Sequence, residues 1–254
     1  MRLPPLERTA AAELMDDPAG DQIQLERTLA QFSLVNRWLS RMRTLVGTCI
    51  LNDMKAPGLH ETPFRVLDVG AGACDIPLWM AGEARRRGVS LHITCLDHDP
   101  RVVDYARRIV GDHRAISIVE GSVLDLDGSD TFDYVMGNHL LHHLHDEEIP
   151  RFLDTAHRVC RRRLLVNDLL RSRWSLAGFH LFASVFLRNS FALQDGKLSI
   201  RKGFVPNELE VFLRRSAWNG PGCGWSVGRA IPGRVFLVAT KNTAAGATPN
   251  RPAE

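Results

Sequence analysis

Two acidic residues flank a short glycine turn, and their spacing restricts the ligand that the turn can bind. An apolar, β-branched run ends in Gly70-Ala71-Gly72 and continues into apolar residues at helical spacing, which predicts a strand, a tight turn and a helix. Glycines at such a turn allow a ligand to approach the main chain closely. Asp75 stands where the dinucleotide-binding pattern G-x-G-x-x-G requires its third glycine, and Asp68 precedes the turn. Two carboxylates would repel a pyrophosphate, so the expected ligand carries cationic groups.

S-adenosylmethionine has these properties, because it joins an adenosine to a sulfonium and an ammonium group. An acidic residue at the end of the second strand can accept both ribose hydroxyls, and Asp97 ends the predicted strand Leu91–Leu96. His98 could flank the adenosine or lie in a surface turn. Asp99 precedes Pro100, which predicts an N-cap and a first-turn proline of the next helix. A glycine turn in some other α/β protein is the alternative interpretation.

The run Val66-Leu67-Asp68-Val69-Gly70-Ala71-Gly72 resembles the first motif of class I S-adenosylmethionine-dependent methyltransferases, with Cys74 where the family usually has a further glycine. The resemblance implies a Rossmann-like fold, S-adenosylmethionine as the cofactor and methyltransferase activity. It also implies that Gly121–Asp125 reads the adenine, through the hydroxyl of Ser122 and the backbone N–H of Val123. The residues expected to contact the cofactor are Asp68, Gly70, Ala71, Gly72, Asp75, Asp97, His98, Ser122, Val123 and Asn138.

Four histidines lie within seven residues after the fourth predicted strand: His139, His142, His143 and His145. Ligands of open α/β sheets bind outside the carboxyl ends of the strands, so Asn138 and His139 belong at or near the reaction centre. One histidine could be the general base that takes a proton from an acceptor hydroxyl, because imidazole titrates near neutral pH. His142 is the first choice, followed by His139 and His143. The alternatives are a metal site, for which no Cys or carboxylate ligand has a recognisable spacing, and helix-start residues bonded to nearby carbonyls.

Aromatic residues are concentrated in residues 171–205, after the fifth predicted strand. Phe179, Phe182 and Phe186 share one helical stripe, which could be core packing or the apolar wall of an acceptor pocket under a helical lid. The residues named for that pocket are Trp174, Phe179, His180, Phe182, Phe186 and Arg201. From Arg188 to Phe204 the chain resembles bacterial small-molecule methyltransferases encoded near type III polyketide synthases.

The predicted fold class is α/β: a Rossmann-like, seven-stranded, doubly wound, mostly parallel sheet with N-terminal helices and a helical insertion after the fifth strand. A chain of 254 residues is long enough for one such domain. Residues 1–60 are expected to form a loose arm and a helical cover. Residues 61–241 form the methyltransferase domain, and residues 242–254 a disordered tail.

Composition limits the partners and the compartment. A net charge of +3 is small for a dedicated nucleic-acid binder, so methylation of RNA is not favoured. The five cysteines are odd in number and form no C-x-x-C pair, which favours a reducing cytoplasm. No apolar run approaches the roughly 18 residues that a membrane span requires. The oligomeric state is left as either a monomer or a homodimer.

The activity expected from the sequence is methyl transfer from S-adenosylmethionine to a small, largely apolar acceptor, on a phenolic or enolic oxygen. The alternatives are methylation on carbon and a protein that binds the cofactor without transferring its methyl group, such as a cyclase or a regulatory subunit. Magnesium is a minor possibility, since Asn138, Asn167 and Asp168 lie at neighbouring strand ends but offer few carboxylates. No metal ligand is therefore assigned.

Overall fold

A computed structural model describes residues 6–55, 62–187 and 189–242 of the chain. Its centre is a seven-stranded sheet with the strand order β3-β2-β1-β4-β5-β7-β6. The strands are β1 (Phe64–Val69), β2 (Leu91–Asp97), β3 (Ile116–Glu120), β4 (Phe132–Asn138), β5 (Cys160–Leu169), β6 (Cys223–Ala230) and β7 (Arg234–Lys241). Strands β1 to β5 pair in parallel, and β7 runs antiparallel to both β5 and β6. The predicted fold class is confirmed.

Helices cover both faces of the sheet, because the parallel strands are apolar on both sides. The helices are α1 (Gln22–Trp38), α2 (Met42–Val46), α3 (Asp75–Arg86), α4 (Pro100–Val110), α5 (Glu148–Val159), α6 (Arg173–Phe186), α7 (Ala192–Lys202) and α8 (Pro206–Arg214). One hydrophobic cluster joins α2, α3 and α4 to one face of the sheet, and a second joins α5 and α8 to the other face. No helix in the described part of the chain has the length and apolar character of a membrane span.

The histidine segment differs from the prediction that residues 140–147 open a helix: Leu141–His143 form a single 3-10 turn, and α5 begins at Glu148. The Glu148 side chain accepts a hydrogen bond from the His145 backbone N–H at 2.8 Å, which ties the end of the histidine segment to the start of α5. The fifth strand ends at Leu169, so Asn167 and Asp168 lie close to its end, as the sequence predicts.

The loose arm expected at residues 1–20 is packed against the domain wherever the structure describes it. We call residues 6–17 the N-terminal strap. Asp195 of α7 accepts hydrogen bonds from the backbone N–H groups of Leu14 and Met15, at 2.9 and 3.0 Å. Arg171 donates to the Leu6 carbonyl at 2.8 Å. These contacts satisfy strap backbone groups with buried side chains, and the strap therefore covers one end of the cavity described below. The expected tail, residues 242–254, lies outside the described residues except for Asn242.

Candidate active site

A cavity of about 390 Å³ opens at the carboxyl ends of β1, β2, β4 and β5. This volume is in the range of sites that hold a small ligand or cofactor. The glycine turn and the end of β2 form one side, α1 forms a second, and the strap, the histidine segment and α6 and α7 form the remainder. The site therefore lies at the sheet edge where α/β folds of this topology bind ligands.

Left-handed backbone conformations shape the glycine turn. Gly70 and Gly72 have φ angles of +66° and +54°. Cys74 has a φ of +59°, so this residue adopts a conformation for which glycine is favoured. The departure from the family motif therefore leaves the left-handed turn in place, with the Cys74 side chain fully buried. A Cβ atom at Gly70 would lie 3.1 Å from Leu140 Cδ1, which shows how closely the histidine segment approaches the turn.

Three carboxylates surround the turn: Asp68, which is buried, and Asp75 and Asp97, which are half-buried. Asp68 is 3% exposed and accepts no hydrogen bond from a described residue; burial and then the charges of Asp75 and Asp97 raise its pKa well above the usual value. Burial also raises the pKa of Asp75, against an opposing 2.8 Å hydrogen bond from Asn36, and Asp75 Oδ2 is buried without a hydrogen-bond partner among the described residues. Such carboxylates fit a ligand that brings positive charge and N–H donors into the cavity.

Asp97 lies where the sequence places it, at the end of β2 and beside the turn. Its carboxylate accepts hydrogen bonds from the backbone N–H groups of Gly72 at 3.1 Å and Asp99 at 3.2 Å. Burial raises its pKa despite these bonds. His98 and Asp99 also line the cavity, and Asp99 caps α4 by accepting from the Arg101 N–H at 2.9 Å. The geometry joins the carboxylate to the glycine turn.

An amide chain crosses the floor of the cavity. Asn138 donates to Asn36 Oδ1 at 2.9 Å and accepts from Asn167 Nδ2 at 2.8 Å. Asn167 also donates to the Ser40 carbonyl at 2.8 Å. Of the three residues considered for magnesium, Asn138 and Asn167 are thus bonded to each other, whereas Asp168 is bonded to His142. The chain holds α1 against the ends of β4 and β5.

His142 is the histidine whose surroundings suit a general base. Its Nδ1 lies 2.6 Å from Asp168 Oδ1, and both side chains are almost fully buried. Burial raises the pKa of Asp168, but the His142 imidazole lowers it by more. The pKa of Asp168 is therefore well below the usual value, and its carboxylate stays ionised. An ionised carboxylate on Nδ1 fixes the tautomer that carries its proton there and leaves Nε2 as a proton acceptor.

His139 is engaged by an arginine. Its Nε2 lies 2.5 Å from Arg234 Nη1, and because a guanidinium can only donate, Nε2 is the acceptor. Burial, with the Arg234 charge adding to it, lowers the pKa of His139 well below the usual value. The lone pair of Nε2 is therefore occupied, and the structure favours His142 over His139 as the base.

His143 is paired with the strap. Its Nδ1 lies 3.3 Å from Asp16 Oδ2, and this hydrogen bond, with the charges of Glu13 and Asp16, raises the pKa of His143 although burial opposes it. The Nδ1 of His143 is therefore engaged by the strap. Glu13 is itself buried, accepts from Ser199 at 2.9 Å and lies 3.1 Å from Lys202 Nζ. These contacts again leave His142 as the best-placed base.

One group of side chains could hold a metal ion by distance alone. Glu13, His142 and His143 offer ligand atoms within 4.8 Å of one another. The Lys202 ammonium beside Glu13 already supplies positive charge there. Glu13 could not be named from spacing, because it is contributed by the strap, far from the histidines in sequence.

The structure separates the remaining predicted site residues from the cavity. Ser122 accepts from the Leu124 N–H at 3.2 Å, Val123 is in the core, and neither lines the cavity. Of the six residues named for the acceptor pocket, only Phe179 lines the cavity, where its ring lies against Gly196. The other five do not line it. Phe182 is half-buried against α1 and α7, and the exposed residues are Trp174, His180, Phe186 and Arg201. Helix α6 packs on α7 along a single face, so one face of α6 is turned to the core and the other to solvent.

Sequence reasoning missed residues that long-range packing brings to the site. They are Glu13, Asp16, Asn36, Asp195 and Arg234. Asn36 had a weak signal as a polar residue inside an apolar helical stripe. The others lie in segments interpreted as an arm, a lid and a closing hairpin.

Removal of the Asp195 carboxylate is expected to release the strap. In the Asp195→Ala variant, Leu14 and Met15 lose their acceptors, which lowers stability by about 1 to 3 kcal/mol. Limited proteolysis should then cleave before Asp17 faster than in the wild type. Asp104→Ala, which removes an exposed ion pair with Arg107, is the control and should change neither quantity. Equal cleavage rates in Asp195→Ala and the wild type would show that Asp195 does not hold the strap.

Comparisons with known proteins agree with this fold. A family model described as a methyltransferase domain matches residues 66–163. No curated protein matches the sequence. The plantazolicin methyltransferase BamL, in complex with a triazolic desmethylPZN analog and SAH, has a TM-score of 0.64 at 14% identity, covering 88% of this chain and 100% of that chain. Its counterpart BpumL, with a monoazolic analog and SAH, has a TM-score of 0.63 at 12% identity, covering 87% and 97%. A Nostoc punctiforme PCC 73102 protein with a provisional O-methyltransferase name has a TM-score of 0.58 at 15% sequence identity, covering 92% of this chain and 64% of that chain.

The sheet order and the position of the cavity define a Rossmann-like fold with a site at the strand ends. Together with the methyltransferase-domain model that matches residues 66–163, they support a class I S-adenosylmethionine-dependent methyltransferase. S-adenosylmethionine is the cofactor that these findings support. Its cationic groups fit Asp68, which accepts no hydrogen bond from a described residue, and Asp75, whose Oδ2 has no partner among them.

Proposed function

We propose that the enzyme methylates a hydroxyl oxygen of a small, largely apolar acceptor, with His142 as the general base. The observation that carries the proposal is the buried His142–Asp168 pair in the wall of the cofactor cavity. S-adenosylmethionine supplies an electrophilic methyl group when it is bound. The protein must then align the acceptor oxygen and remove its proton.

Acceptor binding is assigned to the end of the cavity under the strap. Apolar side chains of the strap, α1 and α6 with its C-cap line the cavity: Met15, Phe32, Val35, Phe179 and Leu187. Apolar walls with a few polar groups suit a phenolic or polyketide-like molecule. Alignment of a nucleophile in such a site contributes roughly 7 to 11 kcal/mol to rate acceleration.

Proton removal is assigned to His142 Nε2. Asp168 holds the proton of the neutral imidazole on Nδ1, so that Nε2 accepts the hydroxyl proton as the oxygen attacks the methyl group. Asp168 then stabilises the imidazolium that forms. Asp68, Asp75 and the glycine turn bind the methionine end of the cofactor, and Asp97 binds the ribose. Ser122 and Val123 remain proposals for the adenine.

Transfer of an isotopically labelled methyl group tests the function. The enzyme is incubated with methyl-labelled S-adenosylmethionine and matched pairs of phenols, one free and one with its hydroxyl already methylated. Label is expected only in the free phenols, at oxygen by NMR. Label on a ring carbon would overturn oxygen as the acceptor, and equal labelling of free and blocked phenols would overturn the hydroxyl requirement.

A further inference from the structure

Arg234 is a buried cation without an ion-pair partner among the described residues. It is the first residue of β7, is 3% exposed and lines the cofactor cavity. No carboxylate of the described residues lies within 4.0 Å of its guanidinium. Buried arginines are rarely left without a counter-charge, since desolvation of an unpaired charge is costly.

Two of the guanidinium nitrogens are fixed by the protein. Nε donates to the Leu39 carbonyl at 2.8 Å, and Nη1 donates to His139 Nε2. His139 has a φ of +60°, so its backbone adopts a left-handed conformation that places the ring against Arg234. Nη2 has no hydrogen bond to a described residue. The guanidinium is therefore held in place while one side of it remains available to a ligand.

The nearest source of negative charge is committed elsewhere. Asp168 favours the charged form of Arg234 from beyond ion-pair distance, and its carboxylate is bonded to His142. Burial lowers the pKa of Arg234 to about 10, so the guanidinium stays protonated at neutral pH. The cavity thus holds a persistent positive charge that the protein does not neutralise directly.

Arg234 also differs in sign from the other charged residues around it. Among the described residues that line the cavity it is the only Lys or Arg, whereas seven carboxylates line the same space: Glu13, Asp16, Asp68, Asp75, Asp97, Asp99 and Asp195. An anionic group would be repelled over most of this surface. The side chain that can bind it is Arg234.

We propose that Arg234 binds a carboxylate of a ligand in the methyltransferase cavity. The planar guanidinium is suited to carboxylate recognition, and its attachment to Leu39 and His139 reduces the entropy that binding would cost. Two molecules of the reaction could supply the group: the amino-acid end of the cofactor, or an acceptor with a carboxylate. The cofactor source rests on the established cofactor, and the acceptor source rests on the proposed function.

Binding measurements with three matched ligand pairs, one for the cofactor and two for the acceptor, separate these sources. Calorimetry on the full chain compares S-adenosylhomocysteine with its decarboxylated analogue, S-adenosyl-3-thiopropylamine. With S-adenosylhomocysteine present, it also compares 4-hydroxybenzoate with 4-hydroxybenzamide and salicylate with salicylamide. The wild type is expected to prefer the carboxylate in one of the two comparisons by roughly ten- to a hundredfold. The comparison that shows the preference identifies the source.

Variants then assign the preference to Arg234. Arg234→Met is expected to bring the affinity ratio close to one, and Arg234→Lys to keep part of it, because an ammonium retains the charge without the fork. Arg229→Met is the matched control, an exposed arginine on the neighbouring strand β6 that pairs with Val235, and it should keep the full ratio.

The wild-type measurement is decisive even if Arg234→Met does not fold. Ratios near one in both comparisons, including no detectable binding of either acceptor probe, overturn the proposal. An unchanged ratio in Arg234→Met also overturns it. Absence of methyl transfer to phenols would overturn the proposed function without affecting the ratio for the cofactor pair, so the two failures are distinguishable.

Discussion

The His142→Gln variant is expected to transfer methyl groups about 10²- to 10⁴-fold more slowly than the wild type, with the Kd for S-adenosylhomocysteine unchanged. Glutamine can still donate to Asp168 from a side chain of similar length, but it has no nitrogen that takes up a proton. The loss should therefore appear in kcat with little change in cofactor affinity. Single-turnover kinetics with labelled cofactor, together with calorimetry, measure the two quantities separately.

The neighbouring histidine provides a control for this experiment. His145 is exposed and does not line the cavity, so His145→Gln should retain the wild-type rate. Asp168→Asn should also be slow, because an amide can hold the imidazole proton on Nε2, the atom that must accept. A His142→Gln variant with wild-type kcat would contradict the role of His142, whatever the behaviour of Asp168→Asn.

The Asp68→Asn variant is expected to be more stable than the wild type without cofactor and to bind S-adenosylmethionine more weakly. Asp68 is buried beside Asp75 and Asp97 and accepts no hydrogen bond from a described residue, so its ionised form is costly in the folded state. An uncharged amide of the same shape should raise the free energy of unfolding at neutral pH by about 1 to 3 kcal/mol. The same change removes a charge that attracts the cationic cofactor, which should raise its Kd roughly tenfold or more.

The stability gain of Asp68→Asn is expected to depend on pH. The pKa of Asp68 is raised in the folded protein, so from about pH 4 upward the unfolded chain releases this proton before the folded chain does. The folded state then binds more protons, and the contribution of Asp68 to stability falls as pH rises through this window. The gain from Asp68→Asn should accordingly grow from acidic to neutral pH in thermal unfolding. Asp125→Asn, at an exposed position, should show no such gain. A destabilised Asp68→Asn apoprotein would contradict the argument.

Local patterns were sufficient to predict the sheet and the position of the glycine turn at the edge of the cavity. The strands read as apolar runs, because a parallel sheet covered on both faces buries nearly every side chain. Asp97 and the glycine turn are close in space because adjacent parallel strands end at the same edge. His142 could be named for a related reason, since it follows directly after β4. Each of these inferences depends on neighbours in the sequence or on neighbouring strands.

The acceptor side depends on contacts between distant segments, which periodicity does not encode. The aromatic stripe of α6 predicts one buried face but not which neighbour covers it, and only Phe179 reaches the cavity. The strap is low in helical or strand periodicity, yet Asp195 orders it through its backbone. Arg234 begins a strand read only as part of a hairpin. Such residues become visible once the packing of the chain is known.

The N-terminal strap also determines when the enzyme becomes complete during synthesis. Its residues are translated before the sheet, whereas Asp195, Ser199 and Lys202, which hold Leu14, Met15 and Glu13, are translated after β1 to β5. Domains begin to fold from the N-terminus as they are made. The strap therefore has no α7 partner while β1 to β5 are being made, and this end of the cavity closes only after α7 has been translated.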